Sequence, residues 1–441
     1  MKGLDAVLNP FKVYELRKRI LFTIALLAVY RLGVAIPTPG VDGAALSAFF
    51  QQAKGTIVGL LDLFSGGAFE RFSIFALGIM PYISASIIMS LLQPVVPYLE
   101  TLAKKEGEAG RKKITQYTRY LTLVIGIIQA TGMSIWIQSM QTTDGRSFVL
   151  NPGLNFHLMT VVTLTTGTAF VMWLGEQITE RGIGNGASLI IFTSIISAIP
   201  SAIIQSTQQV RMGIMNIFIL LFIIVLIILI TAAVVIMIQG HRKISVQYGR
   251  RIVGRKVYGG QTTHLPLQVN MAGVIPIIFA SSILALPATF ITFMGQQQAE
   301  FLIFLQNQLN PGGAIYQILM AGTIIFFTYF YIAVIFNPTD VAENMRKYGG
   351  FIPGIRPGKP TADYIERILR RITFVGAIFL ALIDFIPAMI IQSMHLPFYF
   401  GGTSILIVVG VALDTVRQIE SHLLMRHYEG FVKKGKIRGR F

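Results

Sequence analysis

The sequence contains no cysteine and has few charged residues for its length. None of its 441 residues is Cys, 20 are Asp or Glu, and charged residues of both signs make up 13%. The absence of cysteine excludes disulfides, thiolate metal sites and cysteine nucleophiles. The scarcity of charge argues against an ordinary soluble domain.

Long apolar runs dominate instead. The chain is 53% hydrophobic with a mean hydropathy of +0.65, which predicts an all-α integral membrane protein with ten transmembrane helices. Residues 1–19 are polar and carry no small-residue cleavage site, so we expect the first run to be a retained span and not a signal peptide. The predicted spans are residues 20–36, 72–92, 118–138, 157–175, 183–200, 214–238, 270–292, 315–336, 373–392 and 403–421.

Basic residues are divided unevenly between alternate connections. The formal net charge is +17, and Lys and Arg are concentrated on the cytoplasmic side of membrane proteins. Ten spans place both termini on one side, and the connections of that side hold most of the basic residues. Both termini are therefore predicted to be cytoplasmic. The basic residues that fall on the opposite side are Arg31, Lys54, Arg71, Arg146 and Arg211.

Two cytoplasmic connections are longer than topology requires. Residues 240–269 are basic without any acid and alternate as in a hairpin whose tip is Arg250 to Lys256. Residues 337–371 contain four prolines around GFIPGIRPG, and a basic tail ends the chain. These segments are expected to dock a cytoplasmic partner, which could be an acidic protein or the phosphates of RNA. The alternative is that the basic loops only set the topology.

The transmembrane pattern is interrupted near its second span. A piece of about residues 57–66, too short to cross a bilayer core of roughly 30 Å, carries Asp62 and stops at Gly66 and Gly67. The run Phe72 to Leu92 follows without charge and contains GIMP, whose Gly and Pro weaken a helix within the membrane. We expect this stretch to line or close a passage.

The same pattern recurs 195 residues later. GIMPYISASII from Gly78 aligns with GVIPIIFASSI from Gly273, although two Ile-rich segments could match by chance. Each copy begins the second span of a five-span half, so residues 1–205 and 206–441 would insert in opposite orientations. Inverted halves are typical of membrane transport proteins, with the pathway between them.

Mid-membrane chemistry is sparse. Asp384 and Asp414 fall within the last two spans, and hydrogen bonds between packed helices would explain them. No nucleophile with its base, metal site or phosphate loop is apparent, so neither an enzyme nor a cofactor is expected. Isoleucines instead flank the repeated motif: Ile79 and Ile83 share one helix face. Any single mid-span Ile could face lipid or the core, but an aliphatic constriction would exclude water and ions.

Six motifs make the chain similar to the bacterial SecY family, the channel subunits of the Sec protein translocon. They are LFSGGAFERFSIFALGIMPYISASI, KKEGEAGRKKITQYTRY, MWLGEQITERGIGNGAS, THLPLQVNMAGVIPIIFASS, FIPGIRPG and PFYFGGTS. The resemblance implies ten helices in two inverted five-helix halves, with an hourglass pore closed by an isoleucine ring and a short plug helix.

The resemblance also implies roles for individual residues. The pore ring would be Ile79, Ile83, Ile191, Ile278 and Ile407. The plug would be Leu60, Leu61, Asp62, Leu63, Phe64, Ser65, Gly66 and Gly67. The lateral gate would include Ser86, Gln129, Asn270 and Leu286. Cytoplasmic partners would bind at Arg250, Arg251, Arg255 and Arg356.

The function implied is translocation of unfolded preproteins across the bacterial cytoplasmic (inner) membrane, with lateral release of membrane segments into lipid. The implied partners are the small subunits SecE and SecG, the SecA ATPase motor, the ribosome, signal-sequence-bearing preproteins, nascent membrane proteins and membrane lipids, without direct DNA binding. Two alternatives remain from the residues alone. The inverted repeat by itself would suit a secondary transporter of a small solute, and the positive charge would suit a membrane anchor for an RNA-binding assembly.

Overall fold

The computed structural model describes residues 13–43, 46, 57–104, 106–140, 147–213, 215–248, 251–253, 256–258, 262–293, 304, 308, 313–393 and 401–434. The N-terminal helices are α1 (Tyr14–Val34), α2 (Ile57–Ser65), α3 (Met80–Leu92), α4 (Pro97–Lys104), α5 (Gly107–Ser139), α6 (Leu154–Arg181) and α7 (Gly186–Arg211). The C-terminal helices are α8 (Ile217–Gln239), α9 (Ile275–Phe293), α10 (Ala314–Ile335), α11 (Pro338–Lys347), α12 (Lys359–Ser393) and α13 (Gly402–Lys434).

Each of the ten predicted spans overlaps one of these helices. Within the described residues, seven helices are long and apolar enough to cross a membrane, and α3 with α4 would make an eighth that is bent by 100°. The most apolar is α8, with leucine, isoleucine and valine around its whole circumference, and much of its surface is exposed in the isolated chain. Such a surface is stable only in lipid or against another protein.

The sequence predicted a continuous second span from Phe72, but the structure does not form a helix there. Residues 68–79 form successive turns, and α3 begins at Met80. Gly78 adopts a left-handed φ of 56°, and Pro81 lies in the first helical turn, where its missing N–H costs no hydrogen bond. The repeated motif behaves in the same way, because Gly273 has a φ of 62° and Pro276 is the second residue of α9. The motif therefore marks the start of a helix in both halves.

The predicted basic hairpin is present, and it forms part of a sheet. Strand β1 (His241–Tyr248) pairs antiparallel with β4 (Thr262–Gln268), and β2 (Arg251–Val253) pairs with β3 (Lys256–Tyr258). The facing ends of β2 and β3, Val253 and Lys256, lie within the predicted tip. The short strand β5 (Gly350–Phe351) adds to the other edge of β1. The two long connections predicted to be cytoplasmic thus join through one three-stranded sheet.

Candidate functional site

The five isoleucines predicted to form the ring lie in one buried cluster. They come from four helices: Ile83 from α3, with Ile79 as its N-cap residue, Ile191 from α7, Ile278 from α9 and Ile407 from α13. None is more than 6% exposed. The same cluster also holds buried residues of α1, α6, α8, α10 and α12, so the five isoleucines belong to the main core that joins the two halves. Their arrangement as a ring stays a prediction.

Local structure explains how these side chains are placed in the core. Ile79 caps α3, and the amide of Ile83 donates to its carbonyl at 3.1 Å, which stacks the two side chains one turn apart. Helix α7 begins at Gly186 because the side chain of Asn185 accepts from the amide of Ser188. Glycine allows close approach at two places: a Cβ on Gly186 would overlap the backbone carbonyl of Gly175, and one on Gly410 would overlap the side chain of Val274.

The predicted plug is a separate helix packed against this cluster. Helix α2 ends at Ser65, and Gly66 and Gly67 follow with φ of 71° and 87°. Leu63 and Phe64 are buried in the same cluster as the five isoleucines. Leu60 and Leu61 lie within α2, and their side chains fall outside the described residues.

Asp62 closes the turn that follows α2. Its Oδ1 accepts the amide of Glu70 at 2.8 Å, and its backbone carbonyl accepts from the hydroxyl of Ser65 at 3.0 Å and the amide of Gly67 at 3.1 Å. The charged residue in the middle of the short apolar piece thus has a local structural role.

Two of the predicted lateral-gate residues line a small cavity between α3, α5 and α9. The cavity encloses about 30 Å³, and its walls include Gln129 and Leu286 together with Met80, Ser84, Ser282 and Thr289. The hydroxyl of Ser282 is buried without a protein partner. One or two waters could occupy such a space and satisfy it. The seam between the halves is therefore partly polar at this point.

The other two gate candidates lie elsewhere on the same elements. Ser86 is half-buried on α3, and its carbonyl accepts from the hydroxyl of Ser90 at 2.8 Å. Asn270 is buried before α9, where its Nδ2 donates to the carbonyl of Gly273 at 3.0 Å and its backbone approaches Gly376 of α12. Neither is among the residues that line the cavity.

The basic residues predicted to bind partners are only partly described. Arg250 and Arg255 lie outside the described residues, and Arg251 begins β2 with its side chain outside them. Arg356 is exposed, and its carbonyl accepts from the hydroxyl of Thr361 at 2.8 Å at the start of α12. Behind it, Ile244, Leu267, Ile352 and Ile365 form a small core that fixes both loops together.

Sequence reasoning missed three residues that contact the end of α2. The hydroxyl of Tyr30 lies 2.9 Å from the carbonyl of Ser65 and 2.9 Å from the hydroxyl of Ser194, and Arg31 Nη1 donates to the carbonyl of Gly66 at 2.8 Å. The available signal was Arg31, a basic residue at the outer end of the first span. Tyr and Ser within apolar helices gave no signal of their own.

The intramembrane carboxylate of Asp384 has a structural partner. It accepts hydrogen bonds from the backbone and side chain of Thr403 in the first turn of α13, which agrees with the interpretation of helix packing. Among the described residues, no group of three His, Cys, Asp or Glu side chains could hold a metal ion.

Comparison with known proteins gives concordant results. A family model described as SecY matches residues 73–416. The protein translocase subunit SecY of Escherichia coli K12 is 49% identical over 438 residues, covering 99% of this chain and 98% of that one. A solved SecY channel, whose plug domain is reported to stabilise the closed state and maintain a membrane seal, aligns with a TM-score of 0.64, 19% identity and 92% coverage of both chains.

A more distant likeness extends beyond bacteria. The channel of a canine ribosome–channel complex from the endoplasmic reticulum aligns with a TM-score of 0.59 at 15% identity over 92% of each chain. The structural likenesses show that the fold is that of these channels. Together with the family match and the near-complete coverage of the Escherichia coli relative, they lead to one conclusion: the chain belongs to the SecY family.

Proposed function

We propose that the chain is the protein-conducting channel of a Sec translocon in the bacterial cytoplasmic membrane. Unfolded preproteins would cross between residues 1–205 and 206–441, and membrane segments would leave sideways into lipid. The observation that carries the proposal is that all five isoleucines are buried in the main hydrophobic core, which joins the two halves and also takes in Leu63 and Phe64 of α2. An aliphatic constriction with a helical stopper excludes water and ions and still yields to a wide, flexible chain.

The cavity beside this cluster supports a lateral exit. Helices α3 and α5 on one side and α9 on the other meet around Gln129, Ser282 and Leu286. Underpacked, partly polar contacts are less costly to separate than a tightly packed apolar seam. A signal helix entering here would replace these contacts with its own apolar surface.

Partners would act at the cytoplasmic sheet formed by β1, β4 and β5. Both termini and the two long basic connections would lie on that side. A related channel has been solved with a ribosome, which supports the ribosome as one partner, and the family supports SecA, SecE and SecG. The chain itself would perform no chemical step, since its partners would supply the energy.

The constriction is tested by Ile83→Ser and Ile278→Ser, singly and together. Each hydroxyl would hydrate the narrowest part of the pathway, so we expect a several-fold rise in ion conductance in planar bilayers and acceptance of preproteins with weakened signal sequences. The matched control is Ile324→Ser on α10, which is buried in the same core but is outside the predicted ring. Unchanged conductance in the double variant, or an equal rise in the control, would contradict the proposal.

A further inference from the structure

The C-terminal end of the α2 helix is held by two adjacent side chains of α1. Tyr30 contacts the carbonyl of Ser65 at 2.9 Å, and Arg31 donates to the carbonyl of Gly66 at 2.8 Å. These are carbonyls at or just beyond the end of the helix, where partial negative charge accumulates. A guanidinium placed there makes a charge-assisted hydrogen bond, and this one is partly buried.

The residue that follows α2, Gly66, packs closely against α1 and α7. Gly66 adopts a left-handed φ of 71°, and a Cβ at this position would lie 2.8 Å from Arg31 Nη1 and 2.9 Å from the Cα of Ser194. The ring of Tyr30 stacks on Phe75 with centroids 5.9 Å apart and planes inclined by 5°. The Tyr30 hydroxyl is therefore held in position independently of α2.

The direction of the Tyr30 hydroxyl proton can be assigned. The Ser65 carbonyl can only accept, so the single proton of Tyr30 points to it when α2 is seated. Ser194 then donates either to Tyr30 or to the carbonyl of Ile190, each at 2.9 Å. When α2 leaves, Tyr30 can turn its proton to Ser194. The contact to Ser65 thus stabilises the seated state specifically, because Tyr30 keeps a partner in both states.

We propose that Tyr30 and Arg31 form a latch that sets the free energy of displacing α2, and so determine how strong a signal sequence must be to open the channel. This inference rests on the proposed function of α2 as the plug. The latch comes from α1, outside the α3, α5 and α9 seam, so the stopper is restrained by an element other than the proposed gate.

The test uses the absence of native cysteine. A single Leu63→Cys places a thiol on the buried face of α2, and its rate of reaction with a membrane-impermeant maleimide in proteoliposomes measures how often α2 leaves its seat. In the absence of cargo, Tyr30→Phe keeps the stacked ring and removes one hydrogen bond, so we expect labelling to rise about fivefold. Arg31→Met removes a charged donor, so we expect about tenfold or more.

Three controls make the result specific. Ser194→Ala removes the other hydroxyl next to Tyr30 and keeps the Cα and Cβ of Ser194 that lie close to Gly66. It should leave the labelling rate within about twofold of the parent, since Tyr30 still donates to Ser65. Tyr316→Phe makes the same substitution on buried α10 and should have no effect. A separate Ile324→Cys reporter, also on α10, detects general loosening and should react equally slowly in all variants.

The outcomes separate the latch from the function of α2. Cargo engagement in the parent protein should raise labelling of Leu63→Cys; if it does not, α2 is not a plug and the latch falls with it. If cargo raises labelling but Tyr30→Phe and Arg31→Met leave the resting rate unchanged, the latch alone is overturned. An equal rise with Ser194→Ala, or a parallel rise at Ile324→Cys, would also overturn it.

The latch also predicts a change in cargo selection. For a preprotein whose signal sequence is too weakly apolar for the parent channel, Tyr30→Phe should raise the export rate. The rise should be by about the same factor as the rise in labelling. A variant with faster labelling and unchanged selection would show that displacement of α2 does not set the threshold.

Discussion

At the scale of single residues, glycine decides how closely the helices approach. A Cβ on Gly167 of α6 would overlap the backbone carbonyl of Ile74 and lie 3.3 Å from the ring of Phe75. The carbonyl belongs to the turns before α3 and cannot rotate away as a side chain could. The path of the chain between α2 and α3 therefore depends on this contact.

Gly167→Ala should destabilise the folded protein by about 1–3 kcal/mol, because it overpacks a backbone contact. Thermal unfolding in detergent, followed by the fraction that remains soluble, would show a lower midpoint. The matched control is Gly322→Ala on α10, where a Cβ would meet no atom within 4 Å. Replacing this helical glycine should be neutral or stabilising by up to about 1 kcal/mol. Similar midpoints for the two variants would contradict the expectation.

Single residues also show the reach of sequence reasoning. Helix geometry showed only that Ile79 and Ile83 share a helix face next to a repeated motif, and the set of five came from the resemblance to the SecY family. The structure buries all five in the main core. Asp384 could be assigned to helix packing, which suits its bonds to Thr403. The contacts of Tyr30 with Ser65 and Ser194 could not be foreseen, because they join residues 35 and 164 positions apart and neither residue type is unusual in a membrane helix.

At the scale of elements, the helical state of each span was predicted, but the starts of the second and seventh spans were not. Apolar runs of about 20 residues leave few alternatives to a helix in lipid, so every predicted span overlaps a helix. The predicted start of the second span was wrong because hydropathy alone does not distinguish turns from helix in an apolar run. The positive φ of Gly78 and the position of Pro81 in the first turn explain the late start of α3.

The seated position of α2 can be tested by a disulfide between Ser65→Cys and Gly78→Cys. A Cβ on Gly78 would lie 3.6 Å from the Cβ of Ser65, within the roughly 3.5–4.5 Å that a disulfide spans. If α2 leaves its seat during translocation, the oxidised double variant should stop preprotein transport, and a reductant should restore it.

The single-cysteine variants control for this experiment. They are expected to transport under the same oxidant, because the chain contains no other cysteine. Gly78→Cys also carries the cost of a left-handed residue, about 1 kcal/mol, which the single variant measures. Full transport by the oxidised double variant would show that the end of α2 stays in place while cargo passes.

At the scale of the whole molecule, the two basic connections are one structural unit. Strand β5 pairs with β1 although about a hundred residues separate them in the chain, and Ile352 packs with Ile244 and Leu267 in a shared core. Sequence periodicity predicted the local hairpin because its strands are neighbours in the chain. It gave no information about β5, since a two-residue strand has no pattern of its own.

This unit presents Arg356 at the surface, and its charge can be reversed with little risk to the fold. The turn that precedes α12 uses the backbone carbonyl of Arg356, which accepts from Thr361. Arg356→Glu should therefore assemble normally while repelling an acidic partner surface. We expect ATP-driven import of preproteins into proteoliposomes to fall several-fold.

The decisive comparison is with Arg211→Glu, the same charge change at the last residue of α7. Arg211 is predicted to lie on the side of the membrane opposite the cytoplasm. It should import normally, because a cytoplasmic motor cannot reach it. Rising salt should narrow the difference between the parent and Arg356→Glu, since exposed charges are screened beyond about 10 Å at 0.1 M salt. Equal loss in both variants would point to misfolding or to surface charge in general. Normal import with Arg356→Glu would remove this residue from the docking surface and leave the basic β2–β3 hairpin as the remaining candidate.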